Sequence, residues 1–136
     1  MAKRHTTKTA TCRGCYATLR ASKSVARGFG DVCWRRKVRQ DAERLALVTA
    51  TAAVDVSEFK DAAPVLAKAE QLIEDGAIVR TRHAGQYLAS GSDGVSTYLV
   101  DTIERSCTCK AGARLGRCNH LVAASILDHF ALLLAA

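Results

Sequence analysis

The sequence predicts an α+β chain assembled from small cross-linked modules rather than around one large core, and three observations carry that prediction. Six cysteines fall into two clusters with short internal spacings. Apolar residues recur at helical spacing in some stretches and alternate in others, with a Gly-rich turn between two of the alternating ones. Aromatic residues make up only 5% of the chain, so packing by itself would leave a thin core, and bound metal is expected to contribute folding free energy.

The first module begins with Cys12 and Cys15, a C-x-x-C knuckle, followed by Cys33 in Gly28-Phe29-Gly30-Asp31-Val32-Cys33-Trp34, where Asp31 is placed to cap a new helix. A knuckle, a loop and a ligand from the first turn of a helix outline a treble-clef-like site for zinc. The fourth ligand is open. A C-x-x-C partner for Cys33 would fall at Arg36; His5 is the nearest histidine able to fold back, with Asp41 and His83 less well placed. The rival reading is three free thiols with Cys33 buried beside Trp34. Residues Cys12 to Arg36, with C-x-x-C, a Ser and then Gly-x-Gly-x-x-Cys, resemble a small uncharacterised family of domains from actinobacteria and their phages. That resemblance implies a metal-binding fold.

Beyond Trp34, the residues Val38, Ala42, Leu45, Val48 and Ala52 recur as one stripe expected to pack inward. The stretch 50–60 is the expected linker, giving domains 1–55 and 56–136. A second helix is predicted over 61–75, with Pro64 in its first turn, a stripe at Val65, Leu66, Ala69, Leu72 and Ile73, and Gly76 ending it. Strands are predicted at 78–82, where the sheet is expected to carry His83 nearby, at 86–90 and at 95–100. Ser90-Gly91-Ser92-Asp93-Gly94 turns the hairpin between the last two.

The chain then reaches C-x-C-x8-C-x-H, formed by Cys107, Cys109, Cys118 and His120. Residues i and i+2 of a strand face the same way, so Cys107 and Cys109 can reach one ion. A turn containing Gly112 and Gly116 then delivers Cys118 and His120 from the other side. Four such ligands close a tetrahedron, which is the signature of a structural zinc site. An apolar helix follows from Asn119 to about Leu133, with Leu121, Val122, Ala124, Ile126, Leu127, Phe130 and Leu134 toward the hairpin. His129 lies near the opposite side of that helix from His120 and belongs to no shared site.

With these residues in hand, the segment from about Gln86 to Leu134 resembles the SWIM zinc fingers, defined by C-x-C-xn-C-x-H. The resemblance covers the last third of the chain and implies a ββα zinc module of the kind associated with DNA binding or protein binding.

Charge is uneven. Residues 1–44 hold twelve basic and three acidic side chains, against four and seven over 45–100 and four and three over 101–136. Such an excess attracts polyanions by counterion release. Arg20, Lys23, Arg35, Arg36, Lys37 and Arg39 are the expected phosphate contacts, with DNA favoured over RNA. The alternative is an adaptor or phage-type regulator that binds a host protein through its zinc modules. Phosphate-binding glycine loops, H-E-x-x-H and paired carboxylates set among histidines are absent, so neither an enzyme nor a small-molecule substrate is expected. The first eleven residues lack an apolar core and no run reaches membrane-spanning length, so a cytoplasmic protein with reduced thiols is expected.

Overall fold

A computed structural model describes residues 8–136. The chain is mixed helix and sheet and divides after Leu45 into two compact units.

In the first unit a two-stranded hairpin, β1 (Ala10–Thr11) and β2 (Thr18–Leu19), pairs Ala10 with Leu19 and Thr11 with Thr18. A short helix α1 (Ser22–Arg27) follows, ended by Gly28 at φ 75°. The long helix α2 (Asp31–Ala53) begins in this unit. Asp31 is its first residue rather than its cap: the Gly30 carbonyl accepts the first helical bond from Trp34, and the Asp31 carboxylate pairs with Arg27.

The second unit runs from Ala46 to Ala136. Helix α3 (Ala62–Glu74) is capped by Asp61, whose Oδ1 accepts from the Ala63 amide at 3.2 Å, and closes over Gly76 at φ 63° with the Ala77 amide bonded to the Leu72 carbonyl. Four antiparallel strands, β3 (Ile78–Arg80), β4 (Gln86–Ser90), β5 (Thr97–Asp101) and β6 (Ser106–Cys107), lie in chain order across the sheet. Helices α4 (Lys110–Leu115) and α5 (Asn119–Ala135) complete it. Alternation in β4 buries Tyr87 and Ala89 and exposes Leu88. The buried side joins Ile78 and Val100 in a core closed by α5 residues Val122, Ala123, Ala124 and Ile126 and by Ala69 and Leu72 of α3. No helix among the described residues is long and apolar enough to cross a membrane.

Several expectations are corrected here. The stripe on α2 faces outward, with Val38, Leu45 and Val48 exposed, while Leu47, Ala50 and Val54 meet the core. Residues 42–54 are apolar around most of the helix, so periodicity offers two stripes, and the one centred on small Ala50 permits the closer approach. The stretch 50–60 is not a tether: Ala50 is fully buried, and Val56 and Phe59 pack on the core. The first strand stops at Arg80, which leaves Arg82 and His83 in the turn before β4. The chain between Cys109 and Cys118 is the helix α4 rather than an open turn. Leu134 is exposed beyond the end of the packed face.

One polar cluster ties α5 to the sheet. Asp128 accepts from the Tyr87 hydroxyl at 2.5 Å, from Arg80 at 2.8 Å and from Thr102 Oγ1 at 2.6 Å. Burial pushes the Tyr87 hydroxyl up to about 12, so it stays a donor throughout the neutral range. Replacing Asp128 with Ala leaves that hydroxyl accepting from Arg80 but removes the acceptor of its own proton, and is expected to lower stability by about 1–3 kcal/mol. Urea denaturation reads this directly; an unchanged midpoint would show that the cluster contributes nothing.

Candidate metal centres

The second unit brings Cys107, Cys109, Cys118 and His120 together, with one ligand atom from each within 4.8 Å of all the others. Each comes from a different local device. Cys107 ends β6, in register with Val100. Cys109 caps α4, its sulfur accepting from the Gly112 amide at 3.2 Å. Cys118 precedes α5 in extended conformation, and His120 lies in the first turn of that helix. Gly116, left-handed at φ 66°, ends α4 and turns the chain back toward Cys118.

The approach of α4 to β6 depends on Gly112. A Cβ there would fall 2.6 Å from the Cys107 carbonyl oxygen and 2.7 Å from the Cys107 Cβ, contacts that backbone cannot relieve by rotation. The four ligands are buried, and the Tyr98 ring lies 5.4 Å from the imidazole of His120.

A tetrahedral ion with bonds of about 2.3 Å to sulfur and about 2.0 Å to nitrogen sets a sulfur and a nitrogen donor about 3.5 Å apart. Cys107 Sγ and His120 Nδ1 lie 3.8 Å apart, near that separation, and the four donors lie within 4.8 Å of one another, so the set can close on one ion. Burial pushes the Cys107 thiol up and the Cys118 thiol up to about 12. Burial, with Lys68 nearby, lowers His120 and keeps its imidazole neutral. Without a cation Cys107 and Cys118 hold their protons, and a metal must displace them.

The first unit gathers Cys12, Cys15 and Cys33 in the same way. The Cys12 amide bonds to the Ala17 carbonyl at 2.8 Å and the Cys12 carbonyl accepts from Tyr16 at 2.9 Å, folding the knuckle tightly enough to put Tyr16 at φ 62°. Gly14 lies against the third ligand: a Cβ would meet Cys33 Cβ at 2.9 Å and its sulfur at 3.0 Å. Backbone amides, led by Gly30 and then Gly14, draw the Cys12 thiol down to about 6, while the neighbouring thiols of Cys15 and Cys12 hold Cys33 up to about 11. A Cys12 sulfur drawn toward the thiolate beside two further sulfurs is a donor set suited to a cation. His5 lies outside the described residues. Asp41 pairs with Lys37, and His83 belongs to the β3–β4 turn of the second unit, so neither joins the cluster.

The cations around this site divide by role. Arg13 lies over the Phe29 ring at 5.1 Å and Arg27 over the Trp34 ring at 5.4 Å, so both shield the aromatic pair beside the knuckle. Arg20, Lys23, Arg35, Arg36 and Arg39 are exposed. Lys37 pairs with Asp41, and Arg39 lies 4.0 Å from Glu43. Gly14 and the Asp128 cluster were not among the sequence candidates, and Gly112 was read only as part of a turn; the glycines carry a signal only in their position between the clustered cysteines.

Two outcomes are expected. Metal affinity of the second unit should rise with pH throughout the range below the ordinary thiol value of 9.0, because Cys107 and Cys118 are raised and binding expels their protons; proton release into weak buffer on metal addition checks this. Gly112→Ala should weaken metal retention more than Gly94→Ala, whose Cβ would meet nothing within 4 Å, in a chelator-competition assay.

The model of a family of unknown function, DUF6011, matches residues 2–37, a span that contains Cys12, Cys15 and Cys33. No curated protein and no solved structure matches the chain.

Proposed function

We propose that the chain is a small non-catalytic zinc protein of the cytoplasm that binds nucleic acid through its basic first unit, with a SWIM-type finger as the organiser of its second. The convergence of Cys107, Cys109, Cys118 and His120 at tetrahedral spacing carries the zinc part of this reading. A C-x-C that runs from the end of β6 to the cap of α4 and a C-x-H at the start of α5 are the parts such a finger uses, and four protein ligands leave no position for a substrate or water. The same chemistry in the first unit takes Cys12, Cys15 and Cys33, with His5 proposed as the fourth ligand.

Support for nucleic acid comes from the exposed cations on one unit. Arg35, Arg36 and Arg39 fall within about a third of the circumference of α2 at 3.6 residues per turn. Arg20, Lys23, Arg35 and Arg36 have no carboxylate within ion-pair distance among the described residues, so their charge is available for phosphate. Phosphate contacts of this kind position a backbone without reading bases.

Binding to a labelled DNA duplex is therefore expected to weaken with salt, with a log–log slope of about −0.9 for each phosphate neutralised. Arg35→Glu with Arg36→Glu should flatten that slope and weaken binding at least about tenfold at low salt. Affinity independent of salt would overturn the nucleic-acid reading and leave the zinc assignment standing. Elemental analysis tests the latter: two zinc ions per chain, and one in a Cys12→Ser variant.

A further inference from the structure

The second unit carries a groove beside its candidate metal centre, with Cys109, Cys118 and His120 among the residues that line it. It holds about 870 Å³ and runs between α3, the turn after β4, and the α4 segment that links the ligand pairs. Recognition clefts for compact ligands span roughly 300–1,000 Å³, so the space is large enough for several side chains. Its lining is mainly apolar: Phe59, Val65 and Tyr98 are half-buried and open to it, Leu72 is buried beneath, Pro64 flanks them, and Leu115, 62% exposed, stands at the rim.

Cations surround that apolar lining. Lys68 of α3, Lys110 at the start of α4 and Arg117 just before Cys118 all line the groove, and all are exposed. Among the described residues no carboxylate lies within ion-pair distance of any of the three. The segment 109–118 holds Lys110, Arg114 and Arg117 and no acidic residue. Asp75 is the acidic side chain on the lining.

We infer that this groove docks an acidic peptide segment of another protein, its apolar side chains on Phe59, Val65 and Tyr98 and its carboxylates on Lys68, Lys110 and Arg117. Charge complementarity chooses the sign of the occupant, and the lining chooses its class. A nucleic acid would match the cations but would place phosphates and sugars over Pro64, Val65 and Leu72, where an apolar side chain gains free energy and a phosphate loses hydration. The inference is independent of nucleic-acid binding by the first unit. It depends only on the folding of the second, since the ligand pairs on either side of α4 hold Lys110 and Arg117 in place.

The test is a selection of random peptides of about twelve residues against the full, zinc-loaded chain, followed by fluorescence anisotropy of the enriched peptides. Enriched sequences are expected to be acidic around one or two apolar residues. Lys68→Glu and Lys110→Glu should each weaken them by about tenfold, and Arg35→Glu should leave them unchanged. Lys68 lies on α3 and lines the groove together with His120, so melting and zinc content equal to wild type are required to show that its reversal acts on the groove and not on the metal centre. Leu115→Asp, on the open rim, should weaken the same peptides. Three results would overturn the proposal: enrichment without acidic bias, peptides indifferent to both lysine reversals, or a labelled oligonucleotide whose binding is lost in those variants while peptides do not bind.

Discussion

The second unit depends on one meeting point, where the end of β6, the cap of α4 and the first turn of α5 bring three sulfurs and an imidazole within 4.8 Å. Three elements that share few side chains are connected there by donors suited to a single cation. The core behind them is modest. Its largest fully buried side chains are Tyr87, Ile126, Val100 and, in the other unit, Cys12. In such a chain a tetrahedral ion would act as a cross-link, supplying binding free energy where apolar area is short. The local architecture is consistent with that demand: Gly112 lets α4 approach β6, Cys109 doubles as a helix cap, and Gly116 reverses the chain toward Cys118.

The two donor clusters were legible in the sequence because soft donors at short spacing have few other uses, and both gather where the motifs place them. The hairpin and α3 were legible for an equally local reason. Asp61, Gly76 and the Ser90–Gly94 turn each act within a few residues of themselves. What the sequence left undecided was tertiary. Which side of α2 packs is a choice between two apolar stripes, and only the partner surface around Ala50 resolves it. Asp128 carries no local signal in the sequence. Its role requires Tyr87, 41 residues earlier in the chain, and Arg80 and Thr102 to arrive at the same place.

Charge followed the same division. Composition located the basic excess but could not separate cations with internal partners from cations facing solvent. Arg13 and Arg27 are occupied by Phe29 and Trp34, and Lys37 by Asp41, whereas Arg35 and Arg36 on the same helix are open. Conversely, the segment between the ligand pairs looked unremarkable in total charge because Asp101, Glu104 and Asp128 offset it in the count while lying outside that segment.

The Asp128 cluster also bears on how α5 is held. With an ion bound, His120 would fix the helix at its first turn, and Asp128 fixes it eight residues later, about 12 Å along the axis at 1.5 Å per residue. A rod pinned at two separate points can neither roll about its axis nor swing away from the sheet. Release of the first pin alone leaves a pivot at the second, so opening should propagate from the Cys118 end while the Tyr87–Asp128 anchorage persists.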